Sequence, residues 1–347
     1  MKNFFSKDAT LFVSIALIVG TSLFVLKSVA PSLFPSYFIY IFLGILVFWF
    51  FSQIGFDVVS VFSNHLYVVS LVLLAITLII GQVTRGTIRW IPIGSLSFQP
   101  AEIIRPFLLV FFAQYLTQGE ITFNRLIRAG VLLLIPTILI LVQPSLGVSI
   151  LTVVGFLGVL LAGDFNKKYI LAGVFGVILL IPIFWLIMQP YQRQRVLTFV
   201  NPQKDPLGSG YNSIQSQVAV GAGKLTGRGL GKGVQTQLAF LPEKQTDFIF
   251  AATSEELGFI GSSLLIILSF IILWRLTAFM ENSTNPAARA YLSGFFLTYL
   301  AQVCVHIGMN LGLLPITGLP LPLVSAGGSS FLATMLGLGI ALGAYKK

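Results

Sequence analysis

Apolar residues run in long stretches along this chain, and polar residues gather in the gaps between them. Crossing about 30 Å of hydrocarbon takes roughly 20 residues of helix. Ten stretches qualify, at about 9–28, 37–56, 66–82, 100–117, 127–143, 146–163, 168–188, 248–274, 288–309 and 328–345. Each reads as a helix, because in lipid the backbone N–H and C=O groups must be satisfied within the segment. The weakest break is Gln143-Pro144, between the fifth and sixth stretches, where the proline predicts a tight turn or a kink. The first stretch has a signal-peptide pattern, with Lys2 and Lys7 before it and Ser28-Val29-Ala30 at its end. Pro31 is a poor residue to follow a cleavage site and the run is long, so it reads as a retained span. The expected fold class is an all-α polytopic membrane protein. About ten transmembrane helices and one long structured extracytoplasmic loop, about 189–247, form a single domain over 1–347.

Composition excludes a water-soluble enzyme. Charged residues make up 9% of the chain, against roughly 25% in ordinary soluble domains, and the mean hydropathy is +0.93. The net charge is +10. Lys and Arg in short loops set orientation. With the N-terminus inside, Lys2, Lys7, Arg125, Arg128, Lys167, Lys168, Arg275, Arg289, Lys346 and Lys347 all fall on the cytoplasmic side, as do both termini. Lys27, Arg85, Arg89 and Arg105 lie near outer span ends. Seven more cations, Arg193, Arg195, Lys204, Lys224, Arg228, Lys232 and Lys244, lie in the 189–247 loop. A basic outer loop suits an anionic, phosphate-bearing partner at the membrane surface; the plainer reading is a solvated loop that happens to be basic. Cys304 reads as a small buried residue, and His65 and His306 are too separated for a metal site.

The loop between the seventh and eighth spans carries most of the candidate chemistry. Its glycine run, Gly221 to Gly233 with Lys224, Arg228 and Lys232, lacks the order and the strand–helix setting of a nucleotide loop. Neither nucleotide nor nucleic acid is expected as a ligand. The run reads equally as a pyrophosphate cradle of backbone donors and cations or as turns with glycines at positive φ. Residues 213–220 predict a short helix at the interface. Asp247 stands where the loop enters the eighth span. A partly desolvated carboxylate there suits general-base work, while a cap on the following helix by Thr246 or Asp247 is the structural alternative. Glu255 and Glu256 fall about two turns further on, where carboxylates mark function or pair with a buried arginine. Glu102 and Arg105 share one helix face at i, i+3 and are spaced to pair. Trp90 beside Arg85 and Arg89 reads as a belt anchor or as an anion and sugar platform. The Pro- and Gly-rich stretch from Gly312 to Ser330, which includes Ser325, is expected to re-enter the membrane against protein.

Taken in order, these motifs are distinctive. They are Arg-Gly-x-x-Arg-Trp, Gln99-Pro100-x-Glu102, Gln143-Pro144-x-Leu146-Gly147, Asn201-Pro202 with Asp205-Pro206-x-Gly208-x-Gly210-Tyr211, and Gln215-Ser216. Leu241-Pro242-Glu243-x-x-Thr246-Asp247-Phe248-Ile249-Phe250, Glu255-Glu256-x-Gly258 and the Pro320–Ser330 stretch complete them. The chain resembles the SEDS family of bacterial cell-wall polymerases, most closely its rod-shape (RodA-like) branch, along nearly its whole length. Asp205-Pro206-Leu207 and Gln235-Thr236-Gln237-Leu238 are more similar to the elongation branch than to the division (FtsW-like) branch. Four positions depart from the family pattern: Arg105 stands for a lysine, Ser145 for an aspartate, Gln245 for a histidine and Ala326 for a tyrosine.

The resemblance implies a peptidoglycan glycosyltransferase. It would join lipid II into β-1,4 glycan on the outer face of the bacterial cytoplasmic membrane, releasing undecaprenyl pyrophosphate. Asp247 aligns with the family's catalytic aspartate. Trp90, Glu102 and Arg89 align with its other functional positions, and with the other candidates the expected substrate- and pyrophosphate-binding set is Arg85, Arg89, Trp90, Glu102, Arg105, Lys224, Arg228, Lys232, Glu243, Lys244, Thr246, Glu255 and Ser325. No protein metal site is expected, though a divalent cation (Mg²⁺ or Mn²⁺) would suit the leaving group. The partners implied are lipid II and undecaprenyl-linked glycan, a class B penicillin-binding protein (a transpeptidase), and the elongation machinery. A transporter (flippase) of lipid-linked cell-wall precursors is the alternative, given intramembrane acids and Pro-broken segments; the FtsW-like polymerase is the other.

Overall fold

A computed structural model of the chain describes residues 8–84, 87–94, 96–120, 122–163, 185–186, 188–206, 208 and 210–345. Its first half contains α1 (Ala9–Val29), α2 (Phe34–Ile54), the short α3 (Phe56–Val61), α4 (Ser63–Ile80), α5 (Pro100–Thr117), α6 (Phe123–Val142) and α7 (Leu146–Leu161). The loop region contributes α8 (Pro190–Val200), α9 (Tyr211–Ala222) and α10 (Val234–Gln237); α11 (Ile249–Asn282), α12 (Pro286–Asn310) and α13 (Gly328–Ala344) follow. Nine expected spans thus correspond to helices, and the seventh, 168–188, lies almost wholly outside the described residues. Among the described residues, six helices are long and apolar enough to cross a bilayer unaided, so the chain is a multi-pass membrane protein. The 16-residue α7 and 17-residue α13 are shorter, at about 24–26 Å by the helical rise. They need protein around them, and α13 is buried along its whole length.

The structure adds three features to the expected helices. The segment before α5 is an antiparallel meander of β1 (Gln82–Thr84), β2 (Thr87–Ile93) and β3 (Leu96–Phe98), in that order. Thr87-Ile88-Arg89-Trp90-Ile91 is rich in the β-branched and aromatic residues that fit a pleated surface, and Gly94 supplies a φ of 62° at the turn to β3. The Tyr40 hydroxyl of α2 fastens the meander, donating to the Ser97 carbonyl at 2.7 Å and accepting from the Ser97 amide at 2.8 Å.

Second, the eighth span is broken. Gly258 has φ 67° and ψ −163° inside α11, so the membrane helix proper runs onward from the break. Glu255 and Glu256 therefore lie at the break beside Ser28, at the C-terminal end of α1, and not two turns along an intact span. Third, α9 is longer than the interfacial helix expected over 213–220, and it buries Ser213, Ser216 and Ala219 against α11 and α12.

The expected re-entrant stretch is present between α12 and α13. Leu319, Leu321, Leu323, Val324 and Ser325 are buried without regular structure. The Val324 carbonyl accepts from the Ser22 hydroxyl at 2.6 Å. Ser22 lies seven residues before the end of α1, so the segment dips about 10 Å below that end. The expectation for Cys304 is corrected: it is exposed on α12, because a spanning helix directs apolar side chains to lipid as readily as to a core.

Candidate active site

The backbone around Asp247 is held from three directions. The Asp247 carbonyl accepts from the Asn310 side chain at 3.0 Å. The Thr246 carbonyl accepts from the Ser325 hydroxyl at 2.8 Å, and Ser325 in turn accepts from the Leu321 amide at 2.8 Å. The Phe248 amide donates to the Glu243 carbonyl at 3.2 Å. Within the turn the Thr246 hydroxyl donates to the Glu243 carboxylate at 3.1 Å. The alternative that Thr246 or Asp247 caps α11 is overturned. Phe248 occupies the cap position with no side-chain cap, and the Ala251 amide is satisfied by Asn310 Oδ1 at 3.0 Å. Glu243, Thr246 and Ser325, expected at the substrate, shape the peptide that presents Asp247.

Asp247 itself is half-buried and opens toward the exposed Gly318. A side-chain carbon at Gly318 would stand 3.6 Å from Asp247 Oδ2 and 3.9 Å from Arg195 Nη1. The exposed Arg195 of α8 also donates to the Ile316 carbonyl at 3.1 Å. Carboxylate and guanidinium thus flank one accessible glycine, so a bound hydroxyl and an anionic group can be met side by side.

The re-entrant segment continues inward from this point. Its Leu319 carbonyl is 2.7 Å from His306 Nδ1, which must donate, since a carbonyl only accepts. Its Pro320 carbonyl accepts from Gln302 Nε2 at 2.9 Å. Gln302 Oε1 accepts from Arg105 at 3.3 Å, and Arg105 also pairs with Glu102. The expected i, i+3 pair therefore exists, buried at 3% for Glu102 and 5% for Arg105. It is one hydrogen-bonded residue removed from the segment that borders Asp247. Gln99 joins the same polar region, its amide nitrogen donating to Ser329 at 2.8 Å and its side chain to Ser145 at 3.4 Å.

The glycine run makes the expected turns, with positive φ at Gly227 (81°), Gly229 (95°) and Gly231 (74°), and it has a further structural use. Because α11 breaks at Gly258, the groups around the break lack helical partners, and the run supplies them. The amides of Arg228 and Gly229 donate to the carbonyls of Glu255 (2.9 Å) and Glu256 (3.0 Å); the amides of Phe259 and Ile260 donate to the carbonyls of Lys224 (2.9 Å) and Leu225 (3.1 Å). Backbones approach so closely that a side chain at Gly258 would meet the Leu225 carbonyl at 2.6 Å. The Glu255 oxygens accept from the amides of Gln235 (2.8 Å) and Thr236 (3.0 Å), the first turn of α10. Glu256 Oε1 accepts from Ser28 at 2.6 Å, from the Gly231 amide at 3.2 Å and from Gln237 at 3.0 Å.

Both acids are fully buried. Their partners are hydroxyl, amide and backbone donors, not the buried arginine expected. Lys224, Arg228 and Lys232 remain exposed on the run. Lys244 donates to the Thr236 carbonyl, and burial lowers its pKa from the ordinary lysine value against the pull of Glu256 and Glu255. Arg89 and Trp90 are half-buried on β2, which packs on α4 and α5 above the Glu102–Arg105 pair; Arg85 lies outside the described residues.

Three residues at the centre escaped the sequence reading. Arg195 was one of seven loop cations with nothing to separate it from the rest. Asn310 and Gln302 carried the only local signal, a polar amide in an otherwise apolar helix, which needs a partner in a membrane.

Comparison with known proteins accords with this arrangement. The family model for cell cycle proteins of the FtsW, RodA and SpoVE type matches residues 5–347. The peptidoglycan glycosyltransferase MrdB of Escherichia coli (strain K12) is 36% identical over 304 residues, which span 86% of this chain and 82% of that protein. A probable peptidoglycan glycosyltransferase FtsW of Aliivibrio salmonicida is 35% identical over 280 residues, spanning 78% and 69%. Among solved structures, the fold matches a chain of a peptidoglycan synthase complex with TM-score 0.84 and 33% identity, covering 96% of each. It also matches the rod shape determining protein RodA of Thermus thermophilus with TM-score 0.74 and 28% identity, covering 99% of this chain and 98% of that one. With nearly every residue matched by the family and its motifs in their expected order, the chain belongs to the FtsW/RodA/SpoVE (SEDS) family.

Proposed function

We propose that the chain is a peptidoglycan glycosyltransferase of the elongation type, polymerising lipid II on the outer face of the bacterial cytoplasmic membrane, with both termini cytoplasmic. The observation that carries this reading is the accessible Asp247 carboxylate, presented on a pinned backbone beside Arg195 at the outer end of the bundle. Asp247 takes the proton of the acceptor GlcNAc 4-hydroxyl. That oxygen bonds to the anomeric carbon of the donor MurNAc, and the bond from this carbon to the pyrophosphate oxygen breaks with its electron pair. The α-linked donor becomes a β-1,4 glycan, and undecaprenyl pyrophosphate leaves. General-base assistance of this kind supplies about 10²–10⁴ in rate. Negative charge grows on the leaving pyrophosphate, and nearby cations stabilise it.

Among the described residues no three acidic, His or Cys side chains converge as a metal site. A divalent cation fits only as Mg²⁺ usually binds, through one or two carboxylates together with substrate phosphates and water. Asp247 would supply the carboxylate, and the cation would offset pyrophosphate charge. The exposed apolar face of α11, with Phe259, Ile260, Ile267, Phe270 and Trp274, supports docking of a single-span class B penicillin-binding protein within the bilayer.

Asp247→Asn in purified, folded protein is expected to abolish glycan formation from lipid II in detergent. Full activity in that variant rejects the role given to Asp247. Product formed in detergent, where no two sides exist, also separates the polymerase from a flippase.

A further inference from the structure

We infer that Asn310 is a positioning residue for Asp247, setting the direction of the base through its backbone. The inference rests on the reading of Asp247 as general base. Asn310 closes α12 and is fully buried, so it acts through its neighbours and not on substrate. Its Nδ2 donates to the Asp247 carbonyl at 3.0 Å and to the His306 carbonyl at 2.8 Å; its Oδ1 accepts from the Ala251 amide at 3.0 Å. Both donors of the amide are thereby used. The orientation of the group is fixed by chemistry, because turning it over would set an oxygen against two carbonyls and an NH₂ against an N–H. The backbone carbonyl of Asn310 is held as well, by the Ser216 hydroxyl at 2.9 Å.

The bond to Asp247 matters because of what lies at the other edge of the same peptide. The Asp247 carbonyl and the Phe248 amide share one rigid plane. Asn310 holds the carbonyl edge, and the Glu243 carbonyl holds the amide edge at 3.2 Å. Ser325 fixes the preceding carbonyl, that of Thr246. Only Asn310 among these comes from a membrane helix, so it refers the base to the rigid bundle while the others refer it to loops. A base must meet its proton within about 2.6–3.2 Å, and a displacement of about 1 Å can cost roughly 10² in rate.

Asn310 also caps α11 through Ala251, and the test separates the two roles. Asn310→Asp keeps an acceptor for the Ala251 amide, since Asp and Asn cap helices about equally well, but loses both donors. Positioning predicts that kcat for lipid II polymerisation falls roughly 10–100-fold in this variant. Lipid II affinity and KM stay near those of the parent protein, while the thermal midpoint falls, because a carboxylate oxygen then faces the carbonyls of Asp247 and His306. Asn310→Ala, which adds no charge, is expected to lose kcat to a similar extent per folded molecule, and it decides the question if the Asp variant does not fold. Ser216→Ala removes a bond to Asn310 that does not reach Asp247 and is expected to retain parental kcat. Parental kcat in Asn310→Asp overturns the inference, as does a loss of turnover matched by an equal loss of lipid II binding. Asp247→Asn is assayed alongside. If it is inactive while Asn310→Asp is fully active, positioning alone fails; if it is active, the base assignment fails first.

Discussion

A carboxylate serves as a base only if its oxygens stay where the proton arrives, and Asp247 is held by the peptides on either side of its Cα. Ser325 illustrates how a residue's role changes once its neighbours are known. It sits in a Pro- and Gly-rich motif that suggests substrate contact, yet it is 3% exposed and its hydroxyl is committed to Thr246 and Leu321. Ser325→Ala leaves a buried carbonyl and a buried amide without that partner, at a cost of about 1–3 kcal/mol. Thermal unfolding in detergent should show that loss, together with a kcat reduced more than lipid II affinity. The Asp247 position itself was legible from the boundary between a polar loop and an apolar run. The bonds of Asn310 to Asp247 and of Ser325 to the adjoining Thr246 were not, because they join residues 63 and 79 apart in the chain and no local spacing encodes such pairs.

At the scale of elements, α11 and the glycine run form one unit. The sequence shows an apolar run long enough for a single helix and a glycine-rich loop before it. It does not show that the helix breaks to receive the loop. Hydropathy is blind to one glycine in a span, and the break is stabilised only because a second backbone supplies donors and acceptors at Gly258. Glu255 and Glu256 complete the junction by taking the amides of α10 and the end of α1. Gly258→Ala places a side chain at φ 67° against the Leu225 carbonyl. The strained backbone alone costs about 1–3 kcal/mol, and the glycine run must move as well. Limited proteolysis is expected to cut within 224–232 faster in this variant; unchanged protection would show that the junction tolerates a side chain.

Across the whole molecule, α1 and α11 are joined near both ends. At its first end Asp8 caps α1, accepting from the Leu11 amide at 2.9 Å, and also accepts from Arg275 Nε of α11 at 2.8 Å. At the other end Ser28 donates to Glu256 at 2.6 Å. The re-entrant segment is held between α1 and α12, through Ser22 and Gln302. Removing the cation strands a carboxylate that is 2% exposed. Arg275→Ala is therefore expected to cost about 3 kcal/mol, read as a lowered thermal midpoint, although Asp247 lies at the opposite face. A midpoint equal to the parent protein's would mean that the pair contributes nothing net.

By itself, the amino-acid sequence determined what depends on composition and local order. The spans follow from hydropathy, since each helix satisfies its own backbone in lipid. The motifs and their order mark the family, and the loop boundary marks Asp247. Tertiary structure alone decided which polar groups present Asp247 and which hold the scaffold. It put Arg195 across Gly318 from Asp247, tied Glu255 to the first turn of α10, and gave the glycines a broken helix to mend. The physical reason is that a buried polar group takes whichever partner the packed chain brings within about 3 Å, and that partner is usually remote in sequence.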